Sequence, residues 1–221
     1  MAMNFYNFNG FAFCSKHRGS REQMAISITA NLHKFPCKMF QNTKDIPPNW
    51  IACGSVEWCE NYLGRKIKPD YYPLFLRQYL YRNIWETNEW PLGKKVFIKP
   101  LDCYKRFTGF ITNGRYKGKK KGPYWCSDVV SFSNEWRYYV SNGKILTAEW
   151  YYGDEINTPD APELNINFPE NYCAAVDFGL MDNKMALVEV NHPFACGWYG
   201  KKHEIYTEWI VEGWKFLVDS F

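Results

Sequence analysis

The chain has 221 residues, enough for one compact domain or two small lobes around a real core. Hydrophobic residues make up 46% and aromatics 19%, which excludes a disordered chain. The net charge of +4 attracts anions without marking a nucleic-acid binder, and no apolar run reaches the ~18 residues of a membrane span.

Eight cysteines (14, 37, 53, 59, 103, 126, 173 and 196) include no CxxC pair, and several lie inside apolar, strand-like runs. Residues 1–10 are polar and aromatic, without the basic and apolar regions of a secretory leader. Both features predict reduced thiols in a cytoplasmic protein. Cys14 and His17 are spaced like half of a zinc site, but no second pair has metal spacing, so zinc is not expected.

Residues 1–45 carry little pattern, except that 20–35 reads as a helix capped by Ser20. The Pro47-Pro48 region is a connection. After it, Trp50–Cys53 reads as a strand, Gly54 as a turn, and the next segment as a helix ending near Gly64. Leu76, Leu80 and Ile84 have helical spacing within 71–85, a core pattern. From Lys94 the texture becomes antiparallel. In 94–100 Val96 and Ile98 share one face, Phe97 and Lys99 the other. A basic, glycine-containing loop over 115–121 separates the next two strands. It reads as a solvated run, a phosphate-covering flap or a nucleic-acid contact.

Asn142-Gly143 marks a type I′ hairpin. Trp136, Tyr138 and Val140 share one face of its first strand, and Glu135, Arg137 and Tyr139 the other. The segment 172–194 reads as a second hairpin turning near Asp182–Lys184. Glu189 and Asn191, two apart, then project together, with Asp177 almost opposite Glu189 at a Cβ spacing of roughly 5 Å. Two carboxylates and an amide oxygen suit a hard divalent cation, so Asp177, Glu189 and Asn191 are candidate ligands of Mg²⁺ beside a nucleotide. Residues 204–218 read as a closing helix.

In order and spacing, VFIKPLDCYKRFTGF (96–110), EWRYYVSNGKI (135–145) and VDFGL…ALVEVN (176–191) resemble the ATP-grasp superfamily. Within it they are most similar to a small, phage-associated clade named for one arginine and two lysines. The resemblance covers about 94–200, and 54–80 is similar to that clade's preceding lobe. It implies an α+β ATP-grasp fold, with an N-terminal lobe over 1–93 and the catalytic region over 94–221. It also implies that Lys99 contacts nucleotide phosphates and that Lys105 is the clade's second lysine. Arg137, with Glu135 beside it, would stabilise the transferring phosphoryl group. Ser127–Phe132, including Asp128, Val129 and Val130, falls where the family's interlobe hinge holds adenine. The implied reaction is ATP- and Mg²⁺-dependent carboxylate–amine ligation through an acyl phosphate, with unidentified substrates, a peptide or protein among the candidates. For a phage-encoded chain the compartment would be the host cytoplasm. The sequence departs from many such ligases at Asn191-His192-Pro193-Phe194, which lacks a small-residue run.

The alternatives are a degenerate ATP-grasp that binds a host macromolecule and a basic nucleic-acid binder. Asp177-Phe178-Gly179 invites a kinase reading. It fails because no HRD-like loop is present and too few residues follow for a helical lobe. Without the motif set, Lys99 and Lys105 would read as solvated strand-end lysines, and Glu135 with Arg137 as a surface ion pair.

Overall fold

The computed structural model describes residues 3–115, 120–154, 156 and 158–219. The chain opens with a small parallel layer. Strand β1 (Gly10–Cys14) runs between β2 (Cys37–Phe40) and β3 (Trp50–Cys53), with helix α1 (Arg21–Leu32) crossing from β1 to β2. The Ser20 hydroxyl accepts the Gln23 N–H, which starts α1 where the sequence places it. Helix α2 (Val56–Leu63) follows β3, capped by Ser55 at its start and closed by Gly64 in the left-handed region at φ 70°.

The helical reading of 71–85 holds only in part. Residues Leu74–Tyr79 form a 3₁₀ segment, and β4 (Ile84–Thr87) is a strand. Pro73 supplies no N–H to a preceding turn, and Tyr81 takes φ 48°, which ends any helix there. Leu76 and Leu80 are buried, so the apolar spacing reports the core without the helix.

Two four-stranded sheets follow. The first has the order β4-β7-β5-β6, with β5 (Val96–Pro100), β6 (Phe110–Thr112) and β7 (Tyr124–Ser127). Strand β4 lies before residue 93 yet hydrogen-bonds into this sheet, so sheet membership crosses the lobe boundary expected from sequence. Of the basic 115–121 loop, residues 116–119 lie outside the described residues. The second sheet has the order β11-β10-β8-β9, with β8 (Glu135–Ser141), β9 (Lys144–Tyr152), β10 (Ala174–Met181) and β11 (Lys184–Asn191). Asn142 and Gly143 at φ 48° and 70° make the β8–β9 turn. Asp182 and Asn183 at 48° and 61° make the β10–β11 turn.

Helix α3 (His203–Asp219) returns to the first layer and packs against α1. Its buried Trp209 donates from Nε1 to the carbonyls of Val140 at 2.9 Å and Ala174 at 3.3 Å, tying the helix to β8 and β10. Burying one such indole contributes on the order of 3 kcal/mol. Gly213 lets α3 approach Pro193, whose Cβ would stand 2.3 Å from an added methyl. Strand β8 therefore serves two environments. Trp136, Tyr138 and Val140 pack in one core, and Tyr139 joins the core under α3. No helix among the described residues is long and apolar enough to cross a membrane.

Candidate active site

The β10–β11 register places Asp177 opposite Glu189, and a bulge after Asp177 shifts the ladder by one residue. The same Asp177 pairs on its other side with Arg137 of β8. One cross-strand row thus carries Arg137, Asp177 and Glu189, and Lys99 reaches it from β5 of the other sheet.

Two ion pairs organise the row. Arg137 donates from Nε to Asp177 Oδ1 at 2.8 Å and from Nη2 to Oδ2 at 2.7 Å. Its guanidinium is also stacked between Tyr151 and Tyr199, with ring centroids 5.6 and 5.4 Å away. Burial opposes the positive charge, but Asp177 outweighs it and keeps Arg137 protonated. Lys99 donates from Nζ to Glu189 Oε2 at 2.8 Å, with side-chain exposures of 5% and 31%. The ammonium lies 3.5 Å over the Tyr71 ring and 4.6 Å from Tyr72. Burial would raise the Glu189 carboxyl, yet Lys99, the Asn191 amide at 2.9 Å and Arg137 together hold it down at about 2. Glu135 accepts from the Tyr151 hydroxyl, and burial raises its pKa above the ordinary value. It is not the partner of Arg137.

Three cavities meet along this row. One of about 230 Å³ is lined by Lys99, Ser127–Val130, Glu135 and Glu189, with Phe97 and Phe132 among its apolar walls. A second, about 220 Å³, holds Lys105, Arg137, Glu189 and Asn191. Glu189 belongs to both. A third of about 470 Å³ shares Val56, Lys105 and residues 194–197 with the second. The structure thus brings Lys99 to the hinge residues Ser127, Asp128, Val129 and Val130. It puts Lys105 on the other side of Glu189, with Arg137. Asp128 accepts from the Asn83 side chain at 2.7 Å, fixing the hinge to the segment before β4. Lys105 adopts φ 58°, a left-handed conformation in the loop between β5 and β6.

Divalent-cation donors are present in part. Glu189 and Asn191 lie side by side at the junction of two cavities, as their spacing requires. Asp177 is different, because both its oxygens accept from Arg137 and its side chain is only 2% exposed. Among the described residues no three His, Cys, Asp or Glu side chains form a closed metal cluster. A carboxylate and an amide beside a cavity suit an open site of the Mg²⁺ type, completed by phosphate oxygens.

Several residues at the site carry no motif of their own. Tyr71 and Tyr72 wall Lys99. Arg82 donates to the Leu187 and Val188 carbonyls at 2.6 and 2.9 Å, holding β11 in place. Tyr104 accepts the His192 N–H at 3.2 Å. The run of aromatics before β4 signalled a core, but not which charge it would surround.

Solved structures place the fold. N5-carboxyaminoimidazole synthetase from Staphylococcus aureus superposes with a TM-score of 0.52 at 10% identity, over 96% of this chain and 80% of that one. A RimK domain ATP-grasp protein from Sphaerobacter thermophilus gives 0.52 at 9%, over 94% and 98%. The ATP-grasp ligase PsnB, complexed with a minimal precursor, gives 0.50 at 10%, over 93% and 100%. At these identities the likeness carries the fold alone, which is ATP-grasp. No curated protein matches the sequence. The sequence model that does match is the ATP-grasp domain of the clade named for one arginine and two lysines, family 2. It spans residues 75–209, more than half of the chain, and the chain belongs to that family.

Proposed function

We propose that this chain is an ATP-dependent carboxylate–amine ligase, with ATP in the cavity between the two antiparallel sheets. The observation that carries the reading is the row Lys99–Glu189–Asn191 beside Arg137, which gathers two cations and oxygen donors where two cavities join. Phosphoryl transfer depends mainly on positioning and charge neutralisation, and this row offers both.

In this reading adenine lies against Phe97 and Ser127–Val130, and Lys99 meets the phosphates. Lys99 is already dehydrated and fixed by Tyr71, so little further ordering is required of it. Asp177 orients Arg137 through Nε and Nη2, leaving Nη1 outside that pair and able to meet the transferring phosphoryl group. Lys105 lies where the acyl phosphate would form. Glu189 and Asn191 would hold Mg²⁺, with Asp177 acting behind them through Arg137. The cation, when bound, neutralises phosphate charge. The γ-phosphoryl passes to a carboxylate oxygen, giving an acyl phosphate and ADP. An amine nitrogen then bonds to the carbonyl carbon, phosphate leaves with the C–O electron pair, and the nitrogen loses a proton. The structural neighbour PsnB is an ATP-grasp ligase complexed with a minimal precursor, which is consistent with this reaction class.

Hydroxylamine trapping tests the reading. Incubation with MgATP, mixed carboxylates and hydroxylamine should yield hydroxamate and ADP in the wild type, and neither in Arg137→Ala. Absence of both products from the wild type across a broad carboxylate set would overturn the ligase assignment.

A further inference from the structure

The largest of the three cavities, about 470 Å³, takes no part in holding the nucleotide. It lies where β3 ends and α2 begins, with the start of α1 on one side and the segment after Asn191 on the other. Ligands of parallel α/β layers bind at these carboxyl ends of strands. Much of its wall is apolar, with Ile26, Val56, Phe194, Ile210 and Trp214 prominent.

One lining residue breaks that character. Gln23 is 5% exposed, and its Nε2 donates to the Cys14 carbonyl at 3.0 Å. That bond fixes which end of the amide is oxygen, and Oε1 is buried with no hydrogen-bond partner. A buried acceptor left unpaired costs free energy that a donor would recover. Beside it Glu22, also lining the cavity, accepts the Trp198 N–H at 3.1 Å and keeps a carboxylate at the wall. Glu57 adds a second carboxylate at the rim. Lys105 stands at the opening shared with the Arg137–Glu189 cavity.

We infer that this cavity binds a small molecule with an apolar body and an N–H donor, read by Gln23 Oε1 and drawn by Glu22. The chemical class is the amine end of an apolar amino acid or of a peptide that begins with one. Calling it the amine substrate rests on the ligase reading; the binding itself does not. The apolar wall selects for a branched or aromatic body, and Gln23 selects against isosteres lacking nitrogen. The amine would then approach the second cavity past Lys105.

The probes are leucinamide, glycinamide and 4-methylpentanoate, titrated into the full-length chain in the millimolar range by calorimetry and ¹H–¹⁵N spectroscopy. Leucinamide should bind at least about tenfold more tightly than either other probe, since one hydrogen bond to a charged donor supports such a ratio. Its shifts should fall on the Gln23 side-chain amide and on residues 53–56 and 194–197. Gln23→Met should reduce leucinamide affinity about tenfold. The wild-type shift map decides the matter if that variant fails to fold. Equal binding of 4-methylpentanoate, shifts elsewhere, undiminished binding in a folded Gln23→Met, or no leucinamide binding would each overturn the inference. ADP titrated into the same sample separates the two readings. ADP shifts at 127–130 without leucinamide binding would sink this inference alone. Leucinamide binding without any ADP effect would leave the cavity assignment standing and remove the ligase reading.

Discussion

Replacing Lys99 by Met removes one ammonium and keeps most of the aliphatic stem between Tyr71 and Tyr72. The structure sets the size of the effect. Glu189 is held at about 2 against an ordinary 4.5, with Lys99 the largest favourable influence. At about 1.4 kcal/mol per unit this is on the order of 3 kcal/mol, shared among Lys99, Asn191 and Arg137. Loss of the cation–π contact adds about 1 kcal/mol. Lys99→Met should therefore cost about 2–4 kcal/mol at pH 7, the range expected when a largely buried ion pair loses one member. The sign with pH follows from the depressed carboxyl. The stabilisation is complete above about pH 4.5 and is lost as pH falls towards 2, so the gap between wild type and variant should narrow over that window. Urea unfolding at pH 7 and at successively lower pH measures it. The double variant Lys99→Met/Glu189→Gln should recover much of the loss, because no unpaired carboxylate remains. A single-variant cost below about 0.5 kcal/mol, as for a surface pair, or a gap independent of pH would refute the reasoning.

Arg137→Met leaves Asp177 buried without its bidentate partner and should cost about 3–5 kcal/mol in urea unfolding, while Arg137→Lys should lose less because charge is kept and only the fork is lost. Gly179→Ala would put a methyl 2.5 Å from the Phe132 ring, which lines the Lys99 cavity; nucleotide affinity should fall several-fold in calorimetry with every charged group intact. Gly213→Ala would drive α3 away from Pro193 and should lower stability by about 1–3 kcal/mol, read as a drop in melting temperature.

The two hairpins of the last sheet were legible in the sequence because Asn142-Gly143 and Asp182-Asn183 fix their registers locally, and register dictates which residues face together. The partner of Arg137 was not. Strand β8 neighbours β10 across the whole of β9 and the segment after it, so the Arg137–Asp177 pairing appears only once the order β11-β10-β8-β9 is known. Sequence proximity pointed to Glu135 instead, which pairs with Tyr151 on β9. Strand β1 was missed because it is buried throughout and lacks the alternation of a half-exposed strand. The large cavity was invisible for a related reason. Gln23, Val56, Lys105 and Phe194 come from four separated segments, each unremarkable in its own stretch.

The most direct test is calorimetric titration of ATP, with and without Mg²⁺, into wild type and Glu189→Gln. Glu189 stands at the junction of the hinge cavity and the Arg137 cavity, and the site depends on it. ATP binding to the wild type should strengthen with Mg²⁺, and the variant should lose that metal dependence. Wild-type ATP binding unaffected by Mg²⁺, or unchanged by the substitution, would contradict the assignment.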